Sequence, residues 1–216
     1  MTVPRVLHRV WLKQSADDVI PTEFESYWER FKELHPTWTL RTWDDPEELF
    51  GFMRCREQYD RQTNHAGRSD IARYEIIAEH GGIYVDTDVE PLRAFDELLA
   101  NHRAFAGREG KQLICPTVIG APAHHAAMTA VLDLLPRWEL RHRGQSPNIQ
   151  TGPHLFTAAW HRRRDVRIMP QSTFYPVGWW ERGRLNGDYP PESLSVHHWS
   201  QRWDPKAKAA IDAKQR

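Results

Sequence analysis

The chain has 216 residues, of which 40% are hydrophobic, so it can bury one sizeable core and is expected to form a single domain over residues 1–216. Its 29 basic and 29 acidic side chains cancel, which excludes a global positive field that would attract nucleic acid. No apolar run approaches the roughly 20 residues of a membrane span, and no signal-peptide pattern opens the chain. We therefore expect a soluble, cytoplasmic protein without a transmembrane segment, for which peripheral contact with a membrane stays open.

Strand and helix patterns alternate along the first part of the chain. Residues 6–12 form a β-branched and apolar run, which predicts a buried first strand. Apolar residues at three- and four-residue spacing over 24–34 predict an amphipathic helix that stops before Pro36. Residues 38–43 alternate between apolar and polar types, which predicts a second strand, and the acids before Pro46 begin a short helix. This order is typical of the opening of an α/β domain.

The next part of the chain brings two acids to the end of a strand. Residues 69–80 predict a helix, which ends at Gly81-Gly82 because glycine tolerates a left-handed backbone. Residues 83–85 predict a strand, and Asp86-Thr87-Asp88 follows it directly. Beyond this, strands are predicted at 104–107, 113–119, 166–169 and 194–198, helices at 125–140 and 156–163, and a helix or frayed tail at 206–216.

Asp86 and Asp88 carry the first pattern that points to chemistry. Two carboxylates at i and i+2 can point into one cleft where the backbone turns, and ligands of α/β sheets bind beyond the carboxyl ends of strands. Hard oxygen ligands suit Mg²⁺ or Mn²⁺, which complete their coordination with water and phosphate oxygens. The pattern therefore predicts a site for a metal-bound diphosphate. The alternative is a capped turn with two solvated acids, which the three residues alone favour.

Asp70 and Arg73 lie three residues apart on the predicted helix and so share one of its faces. One interpretation is an ordinary exposed ion pair, which contributes less than about 1 kcal/mol. However, the helix runs through Gly81-Gly82 into the strand that precedes the acids, so both side chains are expected near the same cleft. From there Arg73 can contact sugar hydroxyls or phosphate.

Two motifs stand at one spacing in this region, Ser69-Asp70-Ile71-Ala72-Arg73 and Gly81-Gly82-Ile83-Tyr84-Val85-Asp86-Thr87-Asp88. Together they resemble the signature of family 32 glycosyltransferases, which include initiating mannosyltransferases, capsular polysaccharide transferases and, more distantly, glucosylating domains of clostridial toxins. The segments 4–11, 151–153 and 197–199 followed by Trp203 resemble further parts of the family pattern. The resemblance implies a single GT-A-like α/β domain with a mixed central sheet flanked by helices.

The resemblance also implies roles for the matching residues in donor binding. Trp11 would pack against the nucleotide base, while Asp70 and Arg73 would hold hydroxyls of the donor sugar. Tyr84 and Asp86 would line the nucleotide and sugar site. The residues expected to carry catalysis are Asp86, Asp88 and Arg73.

The metal site is the second part of this expectation. The resemblance implies that Asp88 and His197 bind Mn²⁺ or Mg²⁺ and that Trp199 closes over the diphosphate. His198 is the alternative ligand if the strand direction turns its neighbour outward. If the acids were absent, an ordinary surface position would explain two adjacent histidines as well as metal binding does. With the acids present, a histidine ligand is chemically consistent, because manganese accepts imidazole beside carboxylate.

Three positions depart from the family pattern. Leu12-Lys13 replaces a glycine that often follows the first tryptophan, and Arg202 stands before Trp203 where serine is common. Both departures bear on nucleotide preference or loop closure. Pro116-Thr117 stands where many members carry an asparagine near the donor sugar, so the identity of the sugar stays open.

The predicted reaction is transfer of a hexosyl group from a UDP- or GDP-sugar to a hydroxyl of a glycan, a lipid-linked saccharide or a small molecule. Retention of the anomeric configuration and a role in polysaccharide biosynthesis are what the resemblance implies. Two alternatives come from other classes. A metal-dependent phosphodiesterase normally shows more His and Asp ligands, for two metals. An inactive nucleotide-sugar-binding homologue is disfavoured because every element of the metal site is present.

Overall fold

A computed structural model describes residues 2–13, 18–101, 103–185 and 187–200. Arg202, Trp203 and the segment 206–216 lie outside the described residues. Among the described residues, eight strands form one large and one small sheet. The strands are β1 (Val6–Val10), β2 (Thr39–Trp43), β3 (Gly82–Val85), β4 (Val89–Pro91), β5 (Ala104–Glu109), β6 (Leu113–Ala121), β7 (Val166–Met169) and β8 (Ser195–His197).

The helices surround the large sheet and include two 3₁₀ helices, Asp96–Asn101 and Trp179–Arg184. No helix among the described residues has both the length and the apolar character that crossing a bilayer requires. The α-helices are α1 (Thr22–Leu34), α2 (Glu47–Phe50), α3 (Arg56–Arg61), α4 (His65–His80), α5 (Ala126–Arg141), α6 (Pro147–Gln150), α7 (Pro153–Trp160) and α8 (Gln171–Phe174).

The large sheet is mixed, as predicted, with six strands in the order β2-β1-β3-β6-β5-β7. β1 is parallel to β2 and β3, whereas β6 is antiparallel to β3 and β5. β6 pairs with β3 only from Val118 onward, and its earlier residues pair with β5 alone. The ribbon of β5 and β6 therefore extends past the end of β3 and forms a wall beside the acids that follow it.

Alternate residues of the central strands face opposite sides of the sheet, because side chains of a strand alternate in direction. Tyr84 of β3 belongs to the hydrophobic cluster that α4, α5 and α7 contribute to. Its neighbours Ile83 and Val85 belong to the cluster that contains residues of α1 and α8. The continuous apolar character of this strand thus follows from burial on both faces.

Helix α4 begins four residues earlier than predicted, at His65 instead of Ser69. The side chain of Asn64 caps it by accepting a hydrogen bond from the backbone N–H of Gly67 over 2.7 Å. The first turn is polar and lacks the apolar spacing that marks a helix in sequence, so periodicity could not place its start.

Other boundaries differ where elements are short. The strand β4 and the helix α6 were not predicted, since runs of three or four residues carry no usable period. Helix α7 begins at Pro153 and not at residue 156, with proline in its first turn, where the missing N–H has no helical partner. Pro136 lies inside the single helix α5.

The turn between α4 and β3 depends on Gly81, whose φ of 64° is a backbone conformation that L side chains rarely adopt. A Cβ atom there would lie 2.4 Å from the backbone nitrogen of Ala123 and 2.9 Å from the carbonyl oxygen of Ala121. Gly82 follows with a φ of 97°. The prediction that these glycines end the helix is confirmed, and the tight reversal folds α4 back along β3.

We expect Gly81→Ala to lower the free energy of unfolding by about 3 kcal/mol, because the positive φ and the overpacking against backbone atoms each cost about 1–2 kcal/mol. Gly144→Ala is the matched control, since Gly144 also has a positive φ, of 81°, but no atom lies within 4 Å of the added Cβ. Urea unfolding of both variants measures the difference. Equal losses would show that the contact with Ala123 contributes nothing.

Candidate active site

A cleft of about 1130 Å³ opens where β1 and β3 end. The two strands are parallel, so the residues that follow them meet at one edge of the sheet. All the predicted donor and metal residues line this cleft except the alternative ligand His198. They are Trp11, Asp70, Arg73, Tyr84, Asp86, Asp88, His197 and Trp199.

Asp86, Asp88 and His197 each offer a ligand atom within 4.8 Å of the others. The small sheet pairs Val89 of β4 with His197 of β8, so the imidazole reaches the acid one position before Val89. Nε2 of His197 lies 3.0 Å from Oδ1 of Asp88. The backbone N–H of Ser200 donates to the other oxygen of Asp88 over 2.8 Å. Strand pairing across the chain thus assembles the group.

Asp88 and His197 are both buried and support each other's charge. Burial alone would raise the pKa of Asp88, but His197 and the Ser200 amide hold that pKa well below its usual range. Burial would likewise lower the pKa of His197, yet the Asp88 carboxylate raises it above the ordinary value. In its protonated form, the imidazole therefore balances the charge of Asp88.

These three groups fit a small divalent cation. Two carboxylates and one imidazole are a donor set that Mn²⁺ accepts, and Mg²⁺ accepts the carboxylates. The 3.0 Å between His197 and Asp88 is about the spacing of adjacent ligands in an octahedron with metal–oxygen distances near 2.1 Å. Among the described residues, Nδ1 of His197 has no hydrogen-bond partner, and Asp88 is the partner of Nε2. A cation could therefore take the place of the shared proton.

Arg73 connects the predicted donor residues to the acid motif. Its Nη2 lies 3.1 Å from Asp70 and 3.0 Å from Asp86, and its Nη1 donates to the carbonyl of Pro116 over 3.2 Å. The guanidinium carbon lies 4.8 Å from the centre of the Tyr84 ring, and the Tyr84 hydroxyl donates to Asp86 over 2.6 Å. One side chain thereby fixes α4, β3 and β6 relative to one another.

Asp70 and Arg73 are only 7% and 6% exposed, so the interpretation as an exposed surface pair is wrong. Burial raises the pKa of Asp70 to about 6, although Arg73 and the hydroxyl of Thr151, which donates to Asp70 over 2.7 Å, lower it. Burial would lower the pKa of Arg73, but Asp86, Tyr84 and Asp70 raise it well above the usual value. The charges are therefore held in place, desolvated, before any ligand binds.

Trp11 and Trp199 border the same cleft. The Trp199 ring centre lies 4.0 Å from that of His197, and its indole N–H donates to the carbonyl of Val177 over 2.9 Å. Its φ of 52° is rare for a bulky residue and marks a strained backbone, which is common at functional sites. Trp11 is partly exposed and donates its indole N–H to the carbonyl of Asp18 over 3.4 Å.

His198 points away from this group because neighbouring side chains at the end of β8 face opposite sides. Its Nε2 lies 2.8 Å from Glu90, and its ring stacks on Tyr27 with 4.9 Å between centres. The structure therefore brings His197, and not the alternative His198, to the two acids.

The departure at Pro116-Thr117 contributes to the site through backbone atoms. The carbonyl of Pro116 accepts from Arg73, and the carbonyl of Thr117 accepts from the backbone N–H of Asp86 over 3.0 Å. The Thr117 hydroxyl lies 3.1 Å from the sulfur of Cys115. These contacts do not depend on an asparagine side chain, so the substitution keeps the frame of the acids.

Sequence reasoning missed several residues of the cleft. Glu109 and Trp179 both line it, and they lie on elements that no motif marked. The Ser200 contact uses a backbone amide, which no residue type reveals. Thr151 stands in a segment that resembles the family pattern, but its bond to Asp70 spans 81 positions and required the fold.

Comparisons with known proteins agree with this geometry. Residues 21–105 match the family described as "Glycosyltransferase sugar-binding region containing DXD motif". Inositol phosphoceramide mannosyltransferase 3 of Schizosaccharomyces pombe is 27% identical over 171 residues, covering 76% of this chain and 46% of that protein. This chain thus spans less than half the length of the curated relatives it matches.

Two solved structures share the fold. The structure named PaToxG Glycosyltransferase has a TM-score of 0.64 at 17% identity, covering 74% of this chain and 70% of that one. A glycosyltransferase involved in the glycosylation of the major capsid of PBCV-1 has a TM-score of 0.56 at 12% identity, covering 97% of this chain and all of that one. The fold is that of GT-A-like glycosyltransferases. Residues 21–105 contain Asp86-Thr87-Asp88, the Asp-x-Asp motif that the matched family description names, which agrees with the resemblance to family 32.

We expect Asp88→Asn to lower the free energy of unfolding by about 3 kcal/mol near pH 5 in the presence of a chelator, because it removes the partner of the buried His197 charge. This pH lies above the unfolded pKa of aspartate, about 3.9, and below that of histidine, about 6.5. The raised pKa of His197 stabilises the fold below the unfolded value, and that contribution is lost as the pH rises through the folded value. Urea unfolding near pH 5 and pH 9 should therefore show a smaller loss at the higher pH.

Glu90→Gln is the matched control, because it removes the carboxylate partner of the adjacent His198 in a pair that is 21% and 36% exposed. We expect a loss below about 1 kcal/mol from this variant. An equal effect of the two substitutions, or a loss from Asp88→Asn that does not change with pH, would argue against the buried charge pair.

Proposed function

We propose that the chain transfers a hexosyl group from a UDP- or GDP-sugar to an acceptor hydroxyl, with Mn²⁺ or Mg²⁺ as cofactor. The observation that carries the proposal is the charge of the cleft. Among the described residues, its lining contains one arginine, Arg73, and five carboxylates, which are Asp18, Asp70, Asp86, Asp88 and Glu109. A diphosphate would be repelled by such a surface, so its binding beside these acids calls for a divalent cation.

Asp88 and His197 would hold the cation, with Asp86 beside them. When bound, a divalent ion supplies the positive charge that stabilises the leaving diphosphate. Trp199 lies against His197 and is positioned to cover the phosphates from that side. The metal dependence is thus assigned to side chains that the β4–β8 pairing brings together.

Asp70 and Arg73 would orient the donor sugar. Their oxygen and nitrogen atoms are preorganised by the contacts with Asp86 and Thr151, so binding would cost little side-chain entropy. Trp11 follows β1 on the other side of the acids and offers a partly exposed ring to the nucleotide base. The donor would then lie along the sheet edge, with its base near β1 and its diphosphate near the end of β3.

The acceptor class is proposed from the relatives. A protein similar to this chain is named inositol phosphoceramide mannosyltransferase 3, and this name supports a hydroxyl of a lipid-linked polyol as acceptor, close to the predicted lipid-linked saccharide. Retention of configuration and a part in polysaccharide biosynthesis follow from the family resemblance, and the product anomer can be read by NMR. The cytoplasmic location and the single-domain organisation stay predictions.

The two alternative functions make different products. A phosphodiesterase would release nucleoside monophosphate from the nucleotide sugar, and an inactive homologue would bind the donor without turnover. The cleft shows one cluster of metal-ligating side chains among the described residues, Asp86, Asp88 and His197. This favours a one-metal transferase over a two-metal hydrolase. Release of nucleoside diphosphate that increases on addition of an acceptor would decide for transfer.

We expect Asp88→Asn to reduce transfer by at least about a hundredfold at saturating donor, because it removes a charge that holds the metal. Mn²⁺ should raise the apparent melting temperature of the wild type in the presence of nucleoside diphosphate but not that of the variant. Glu90→Gln should keep both responses. Wild-type turnover by Asp88→Asn at saturating Mn²⁺ would rule out the assigned metal site.

Trp11→Ala should raise the dissociation constants of nucleoside monophosphate, diphosphate and nucleotide sugar by the same factor, about tenfold, because a stacked base is worth about 1–3 kcal/mol. Chelation should instead weaken only the ligands that carry a diphosphate. Calorimetric titration of the three ligands separates these patterns. Unchanged affinities in a folded variant would show that Trp11 does not contact the base.

A further inference from the structure

Two adjacent tryptophans stand out on the surface beside the cleft. Among the described residues, the large hydrophobic side chains that are exposed are Val19, Leu140, Trp179 and Trp180. Trp179 is 48% exposed and lines the cleft, whereas Trp180 is 53% exposed and does not. Trp180 instead packs on backbone, since a Cβ at Gly178 would lie 2.7 Å from its ring. The two rings therefore face different surroundings.

The position of Trp179 is fixed from both ends of its segment. The carbonyl of Val177 accepts the indole N–H of Trp199 over 2.9 Å, and Arg182 donates to the carbonyl of Trp199 over 3.4 Å. Trp179 lies between these two anchors. The segment that carries this exposed ring is thereby held, so a ligand that stacks on the ring need not order the backbone.

The segment of Trp179 lies against the end of the β5–β6 wall, because a Cβ at Gly110 would lie 3.3 Å from the ring of the neighbouring Trp180. Glu109 and Leu113 pair with each other across that ribbon, and both line the cleft. An aromatic face beside a carboxylate suits a polyhydroxylated ring, because the apolar C–H face of the ring packs on the indole while a hydroxyl donates to the acid.

Glu109 lies near enough to His197 for their charges to interact, so this corner adjoins the candidate metal residues. Trp11 follows β1, Asp86 follows β3, and Glu109 ends β5, on the far side of the intervening β6. The volume of about 1130 Å³ exceeds what one small ligand fills, since single-ligand pockets measure about 300–1,000 Å³. The same cleft thus extends from Trp11 after β1 to Glu109 and Trp179.

We propose that Trp179 and Glu109 form the acceptor subsite and bind a polyhydroxylated six-membered ring, either a sugar or a cyclitol. The inference rests on the proposed transferase function and adds to it a place for the acceptor. A lipid surface is the other ligand that exposed tryptophans suggest. It is disfavoured because Trp179 faces the cleft and because the neighbouring Arg184 is paired with Glu181 over 2.7 Å.

The test uses the full chain and three probes: methyl α-mannoside, methyl α-glucoside and myo-inositol. Saturation-transfer NMR titrations compare the wild type with Trp179→Ala, Trp179→Phe and Trp180→Ala. We expect at least one probe to bind the wild type saturably and Trp179→Ala to raise its dissociation constant about tenfold. Trp179→Phe keeps an aromatic face and should stay within about threefold, and Trp180→Ala, the exposed neighbour, within about twofold. Glu109→Gln should weaken the same probe about tenfold or more.

Three results would contradict the acceptor subsite. Either no probe binds the wild type saturably, or Trp179→Ala leaves probe binding unchanged, or Trp179→Ala and Trp180→Ala weaken it equally. Sedimentation with phosphatidylinositol vesicles tests whether the two tryptophans bind a lipid surface instead. If the wild type binds vesicles but no free ring, and both alanine variants lose vesicle binding, then Trp179 and Trp180 form a lipid-binding surface and not an acceptor subsite. Nucleoside diphosphate binding with Mn²⁺ is measured on the same proteins. Its absence in the wild type would defeat the transferase proposal, whereas its presence without ring binding would defeat the subsite alone.

Discussion

The buried guanidinium of Arg73 between Asp70 and Asp86 is the interaction on which the rest of the site depends. It links α4 to the end of β3, and its second nitrogen reaches the carbonyl of Pro116 in β6. Removing either partner from such a group leaves a desolvated charge, which costs about 3–5 kcal/mol. The orientation of Asp86 toward the cleft is therefore coupled to the stability of the fold, and α4 serves both the core and the site.

A second set of contacts, those of Asp88, fixes the residues on the other side of the cleft. Asp88 is held by His197 and by the amide of Ser200, so the end of β8 is tied to the acid motif. Trp199 continues this connection through its bond to Val177. Asp88 directly precedes β4, His197 ends β8 and Trp199 follows it, so a change in the β4–β8 pairing would move all three together. This coupling gives the candidate metal site a structural role as well.

The cleft combines carboxylates, which repel one another, with cationic groups that reduce this repulsion. Its carboxylates repel one another and would repel a phosphate, and burial raises the pKa of Asp70 to about 6. One arginine and one protonated imidazole relieve part of this strain, and a divalent cation with an anionic donor would relieve more. The acids that repel one another in the cleft would therefore favour a ligand that binds together with a cation. In the proposed arrangement, base, diphosphate and acceptor ring would lie beside β1, β3 and β5.

The sequence alone determined the local features of this protein. The helix over 24–34, the end of α4 at Gly81 and the acids after a strand could be predicted, because periodicity, positive φ and motif spacing are properties of neighbouring residues. The tertiary structure decided what depends on distant pairs. His197 and not His198 meets Asp88, at a separation of 109 positions, because of the register of β4 and β8. Burial of the Asp70–Arg73 pair and the place of Trp179 were decided in the same way, since hydrogen-bonded pairing and packing bring together side chains whose proximity no local pattern encodes.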